Sequence, residues 1–291
     1  MSMQNFQRTY TLKAGKMGET GMFIGNTESA TQNTLRVNFD IEKADVESSN
    51  TGKIKIWNLS DTNLKVLEQK DCAIELKAGY AMNMPIVIVG TVASVITSKD
   101  GADRCTELEV ADGMVQTRDT YVSLSLNGIV KSKDIYDELA RQMGLAIVYA
   151  SDLTYKDIPN GFSFAGKAKD ALSSITTFNG HQWTIQNEVI QVTLPGRPIS
   201  TQGYLLNAST GLINIPKRVT ISTDNDSKIG WEVDYLLNAA IGVNDYIKVE
   251  SKYVNGYFRV YKVTFKGDSH ANDWTCTAQI LEVVSNGGDS A

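Results

Sequence analysis

Apolar and polar residues alternate with a period of two through much of the first third of the chain. Leu35, Val37, Phe39 and Ile41 alternate with Arg36, Asn38, Asp40 and Glu42, and Ile54 and Ile56 alternate with Lys53 and Lys55. Successive side chains of a strand point to opposite faces, so each run predicts a strand with one buried and one wet face. The stretch NLSDTNLKVLEQK predicts a short helix, with Ser60 or Asp61 capping its first N–H groups and Leu64 and Leu67 turned inward. Ile74 and Leu76 then alternate with Glu75 and Lys77 before a turn at Gly79. Residues 86–95 predict one longer strand, bent or broken at Gly90, residues 98–104 a turn, and residues 106–110 a return strand. Antiparallel strands, short turns and one short helix make a small barrel or sandwich.

The period changes in the middle of the chain. Ser132 is placed to cap a helix that buries Ile135, Leu139 and Met143 and stops at Gly144. A strand over 145–149 follows, then a second helix over 168–178 ended by Asn179-Gly180. The segment QWTIQNEVIQVTL predicts a hairpin turning near Asn187, and Pro195-Gly196-Arg197-Pro198 marks the exit. The last third returns to strands, over 218–222, 231–237, 246–252, 257–265 and 274–284. Its order of strand, turn, long strand, polar turn and return strand matches that of residues 74–110. The match reads either as a duplicated unit or as a generic meander. The expected division is 1–117, 118–196 and 197–286, with a flexible tail at 287–291.

Composition narrows the function. The 291 residues carry 28 Lys and Arg against 33 Asp and Glu, a formal net charge of −5. With 42% apolar and 21% charged residues the chain is globular rather than disordered, and it lacks the cationic surplus for non-specific duplex binding. Cys72, Cys105 and Cys276 are dispersed, so free buried thiols are expected rather than disulfides or a zinc site. The opening MSMQNFQRTY has no apolar signal core, and the most apolar stretch, 82–96, is too short for a bilayer helix. Synthesis in a cytoplasm and no membrane insertion are expected.

Catalytic signals are thin. Only His181 and His270 could serve a triad, and they read as a strand-edge and a turn residue. Residues 224–228 open like a calcium loop, but Lys228 stands at the fifth position and Tyr235 at the twelfth. GFSFAGKA (161–168) fits G-x-x-x-x-G-K, yet Ala168 replaces the hydroxyl residue, and Phe162 and Phe164 alternate as in a strand. Asp40, Glu42, Glu75 and Glu250 fall on wet strand faces rather than in a recognisable carboxylate pair. No catalytic residue, cofactor or metal is expected. Residues 15–32 are glycine-rich yet hold Met17, Met22, Phe23 and Ile24. They read either as an arm that docks on a partner or as a strand in the chain's own sheet.

The segment Ile41 to Tyr80, with its Ile-x-Asn-Leu-Ser turn, short helix and strand ending Ala-Gly-Tyr, resembles the first domain of phage baseplate hub proteins. The last third resembles their closing domain. Its marks are Leu236-Leu237-Asn238, Gly256-Tyr257-Phe258-Arg259-Val260, Gly267-Asp268 and Asp273-Trp274. The resemblance implies a mainly β fold with two tail-tube-like β-barrel domains flanking a small α+β module. It also implies a non-enzymatic homotrimer in the tail baseplate of a virion. Two similar domains in each of three chains would match a six-fold tail tube above and a three-fold central spike below. Tape measure and baseplate wedge proteins would be further partners, and DNA would only pass through. Alternatives are a β-rich peptidoglycan hydrolase of the tail, or a carbohydrate- or protein-binding module using Trp57, Trp183, Trp231 or Trp274 if exposed.

Overall fold

The alternating segments of the first third form β1 (Arg8–Gly15), β2 (Met22–Gly25), β3 (Val37–Ala44) and β4 (Thr51–Trp57), then the helix α1 (Asp61–Leu67), β5 (Ala73–Tyr80), β6 (Ile86–Asp100) and β7 (Asp103–Ala111). The middle holds α2 (Met114–Asp119), β8 (Tyr121–Leu126), β9 (Val130–Lys131), α3 (Ser132–Met143), β10 (Ala146–Tyr149), β11 (Asp157–Ile158), β12 (Phe162–Lys167), α4 (Ala168–Asn179), β13 (Gln182–Gln186) and β14 (Val189–Thr193). The last third holds β15 (Gly203–Leu206), β16 (Lys217–Ser222), β17 (Ser227–Leu236), β18 (Tyr246–Glu250), β19 (Asn255–Asp268) and β20 (Trp274–Glu282). This computed structural model describes residues 7–16, 19–27, 34–47, 49–81, 83–200, 202–223 and 226–283. The chain is mainly β with an α+β insertion, as its patterning predicts.

Several local expectations are sharpened. The Ser60 side chain accepts from the Asn63 amide at 3.3 Å, capping α1, whose Leu67 is buried. The expected turn at 98–104 contracts to Gly101-Ala102, because Lys99 pairs with Arg104 and Asp100 with Asp103. Gly101 takes a φ of +61°, the conformation that lets a two-residue loop close a twisted hairpin. β6 also runs unbroken through Gly90, and a register shift between Val92 and Ser94 supplies its bend. Ser132 does not cap α3: Lys131 holds that position, and the Ser132 hydroxyl bonds Asn179 Oδ1 at 2.9 Å at the end of α4. β1 escaped the periodicity reading although Tyr10, Leu12 and Ala14 alternate along it and are buried.

The first and last thirds follow one plan. Strand order in the first is β3-β4-β7-β6-β5-β1, and in the last it is β16-β17-β20-β19-β18-β15. The long strands match in detail: β6 shifts register between Val92 and Ser94 against β7, and β19 between Val260 and Lys262 against β20. A generic meander gives no reason for bulges at matching places, so a duplicated unit accounts for the pattern better. The units differ in that β15 lies parallel to β18 whereas β1 is antiparallel to β5, and in that α1 and β2 have no counterpart in the last third. The two units share a single 13-stranded sheet, joined where β3 pairs with β19. They also share one core, from Leu12, Phe39 and Ile54 to Val233, Phe265 and Trp274. The insertion keeps its own core, in which α3 and α4 bury Ile135, Leu139, Leu172 and Ile175 against Trp183 and Ile190.

Candidate functional site

The two units join at β19, where strand pairing and ion pairs converge. β20 lies along one edge of β19. The other edge is divided, with β18 on its first half (Asn255 to Arg259) and β3 on its second (Lys262 to Asp268). Paired residues of antiparallel strands share a face. Inward, Phe39 and Ile41 of β3 and Val263 and Phe265 of β19 are buried. Outward, Lys266 faces Asp40 at 3.2 Å and Lys262 faces Glu42 at 2.7 Å. The same polar face continues on both sides. Lys53 and Lys55 both reach Glu107, at 3.3 and 3.1 Å, and Lys217 reaches Glu232 at 3.3 Å. Lys55, with Lys53 behind it, holds the Glu107 carboxyl below the usual carboxylate range. Each such exposed pair contributes only about 0–1 kcal/mol to stability. The consequence is for charge: Lys53, Lys55, Lys262 and Lys266 in the middle of this face, and Lys217 on its edge strand, each have a carboxylate within reach.

A buried polar joint fixes the insertion against the junction. Asp45, which follows β3, forms an ion pair with Arg259, and both side chains are almost wholly buried. Arg259 also donates to Asn244 Oδ1 at 2.5 Å, and Gln182 of the insertion donates to Asp45 at 2.6 Å. Nearby, the tip of the β13–β14 hairpin, Asn187-Glu188, adopts positive φ at both residues, and the Glu188 amide donates to Asp112 at 2.8 Å. The Asn187 amide donates to the other oxygen of Asp112, and Lys43 donates to the Asn187 side chain. Burial raises the Asp112 carboxyl to about 6 and lowers the Lys43 ammonium to about 8, each opposed by attraction to the other. Such a network holds two bodies at one angle.

Of the residues singled out as a docking arm, Met22 and Ile24 are buried in β2, paired with Ala14 and Leu12, and Phe23 between them lies under the Lys13 ammonium at 5.8 Å. Met17 lies outside the described residues. His181 is buried, with its ring nitrogens 3.0 Å from the Tyr136 hydroxyl and 3.0 Å from the Thr154 carbonyl oxygen, and burial lowers its pKa. His270 sits in a turn beside Ser269. Phe162 and Phe164 lie on a strand, β12, not in a phosphate loop. Trp183 and Trp274 are buried, while Trp57 and Trp231 are half-buried. Asp224 and Asn225 of the calcium-like stretch lie outside the described residues. Among the described residues no cluster of His, Cys, Asp or Glu could hold a metal ion, and no helix is long and apolar enough to cross a membrane. The three cysteines are free and buried, and burial pushes the Cys276 thiol up to about 12.

Sequence reasoning missed the Asp45–Arg259 pair and the β3–β19 pairing, which bring together residues more than 200 positions apart. A trace was present in the opposite charges of Asp40 and Glu42 on β3 and of Lys262 and Lys266 on β19.

Comparison with known proteins places this geometry. The family described as baseplate hub gp41 matches residues 19–280. No curated protein matches the sequence. Among solved structures, the 43 kDa tail protein of prophage MuSo2 from Shewanella oneidensis is similar, with a TM-score of 0.61 at 9% identity over 95% of this chain and 97% of that one. A tail protein from Neisseria meningitidis has a TM-score of 0.61 at 12% identity, over 94% of this chain and 96% of its own. The E. coli c3393 protein, described as a type VI secretion component similar to the T4 tail proteins gp27 and gp5, has a TM-score of 0.56 at 10% identity over 88% and 76%. At such identities the likeness is one of fold.

Proposed function

The chain belongs to the baseplate hub gp41 family, and from that membership we propose that it is a trimeric structural adapter, joining a six-fold tail tube to a three-fold central spike. The observation that carries this reading is the repeated strand order with its matching bulges in β6 and β19. Three chains make a six-membered ring only if each contributes two equivalent units, and this chain has two. Because both units share one sheet and one core, they are held at a fixed angle, as a ring requires.

The charge-balanced outer face of the sheet is the wall of the conduit in this reading. DNA in transit must not be held, and lysines already paired with carboxylates offer phosphates little to bind. The apolar side packs against the core and cannot serve. The chain acts by shape and symmetry in the baseplate and performs no catalysis. Its two histidines are occupied with neighbours, and its acidic residues are spread over strand faces and ion pairs. It is made in the host cytoplasm and assembled into the tail with the tube above and the spike below.

Mass measurement of the purified chain by light scattering, with electron microscopy of tail particles, tests this. The expected result is a trimer located where the tube meets the spike. A chain that stays monomeric and is absent from the tail overturns it.

A further inference from the structure

The long strand of the second unit is partnered along both edges, and the long strand of the first is not. In the second unit β20 runs along one edge of β19, and β18 and β3 divide the other. In the first unit β7 runs along one edge of β6, and β5 covers the opposite edge as far as Thr91. Beyond the bulge, among the described residues, nothing pairs with the outer edge of β6 from Ser94 to Asp100. This edge contains no proline, and Ile96 within it is 61% exposed. A bulge opens this edge and Lys99 lies near its end, but the exposed, unpaired run between them is a template for another strand. The counterpart lies at the far end of the same sheet. β16 holds in the second unit the place of β3 in the first, but it pairs with β17 alone. A chain with one free edge of each kind repeats head to tail, and closes when the rotation allows.

We infer that β16 of one copy of this chain adds to the outer edge of β6 in a second copy, in the register of the internal β3–β19 seam. The register follows from the strand equivalences. Val95 and Val263 face Leu108 and Ala278, which face Ile54 and Val233. On that frame Asp40, opposite Lys53, corresponds to Lys217, opposite Glu232. The internal pair Thr264 with Glu42 becomes Ile96 with Val219, and Lys266 with Asp40 becomes Ser98 with Lys217. Ile96 loses its exposure against Val219, and the sheet continues from one chain to the next with this apolar pair at the seam. This contact rests on the ring reading above and supplies the means by which neighbouring chains meet.

The test uses the full chain with Ile96→Cys and Val219→Cys in a Cys105→Ser background, oxidised and resolved without reductant. The expected result is covalent species up to a trimer, at least tenfold above the slipped pair Ile96→Cys with Thr220→Cys, whose side chains would point to opposite faces. In parallel, Ile96→Lys is expected to lose self-association by light scattering while its melting temperature holds. Equal crosslinking by the slipped pair overturns the register. A trimer by light scattering that never crosslinks at 96 and 219 overturns this seam and leaves the trimeric hub standing. A chain that is monomeric at every concentration and never crosslinks overturns both.

Discussion

Phe39 of β3 and Trp274 of β20 meet edge to face, with ring centroids 5.6 Å apart and planes at 67°. One belongs to the first unit and the other to the second, so a favoured edge-to-face aromatic contact spans the duplication. The Trp274 indole also donates to the Gly79 carbonyl at 3.1 Å, again across the junction. Trp274→Ala is expected to cost about 3–5 kcal/mol, the usual range for a buried aromatic truncated to alanine. Because the core is continuous, the loss is expected as one cooperative transition rather than two, read by calorimetry and by denaturant titration followed at two wavelengths.

Gly267, opposite Phe39 in the seam, is there for space. A Cβ at Gly267 would come within 2.3 Å of the Phe39 ring. Gly267→Ala therefore forces the ring or the strand aside, an overpacking cost of about 1–3 kcal/mol. Gly267→Ala combined with Phe39→Leu, which makes room, is expected to recover part of that cost. Urea midpoints of the three variants against the parent measure it.

The buried Asp45–Arg259 pair contributes less to stability than its removal in halves suggests. Arg259→Met leaves the Asp45 carboxylate buried without its charge partner, a change of about 3–5 kcal/mol. Asp45→Asn together with Arg259→Met removes both charges, and is expected to cost less than Arg259→Met alone. Denaturation of the two single variants and the double variant gives the coupling. A double variant as unstable as the sum of the singles would show that the side chains act independently.

Stability should vary with pH through the insertion joint. Burial raises the Asp112 carboxyl from 3.8 to about 6, so between about pH 4 and 6 the folded chain holds a proton that the unfolded chain has released. The contribution of Asp112 is therefore present at low pH and is lost as pH rises through that window, by at most about 1.4 kcal/mol per pH unit. Burial lowers Lys43 from 10.5 to about 8, which has the opposite consequence at higher pH: stability rises between about pH 8 and 10.5 as the unfolded chain gives up its extra proton. Asp112→Asn is expected to abolish the acidic part, so the parent loses stability relative to the variant as pH rises from about 4 to 6. Urea unfolding at half-unit steps reads this directly.

The outline of the fold was legible because its signals are local. Ser60 and the spacing of Leu64 and Leu67 define α1, and the alternation of Val37, Phe39 and Ile41 defines β3. The duplication could be suspected from turn order, but β16 and β3 share almost no residue identity, and only strand order and bulges reveal their equivalence. The buried joint was not legible. Asp45, Arg259, Asn244 and Gln182 come from four separate segments, and each looks in sequence like an ordinary polar surface residue. Met22 and Ile24 were ambiguous for a physical reason: an apolar run amid glycines suits an exposed arm and an edge strand equally, and only pairing with β1 distinguishes them.

If the polar face lines the conduit, its balance of charge decides whether DNA is held. Glu107 bridges Lys53 and Lys55, and Glu109 lies opposite Lys53 on β7. Glu107→Lys with Glu109→Lys turns that part of the face cationic, four positive charges higher than in the parent, since each change removes a negative charge and adds a positive one. These side chains are partly or fully exposed, so folding should survive with a loss of about 1 kcal/mol or less per site. Duplex DNA should now be retained by the variant on filters at low salt and released steeply as salt rises, because each further phosphate neutralised adds about 0.9 to the logarithmic slope. The parent is expected to retain none under the same conditions. Equal changes at Asp61 and Glu68, exposed residues of the α1 region, whose Leu64 and Leu67 pack on the apolar core, serve as the control, since they alter net charge without altering this face. If both variants held DNA equally, net charge rather than the polar face would govern retention, and the assignment of this face to the conduit would fall.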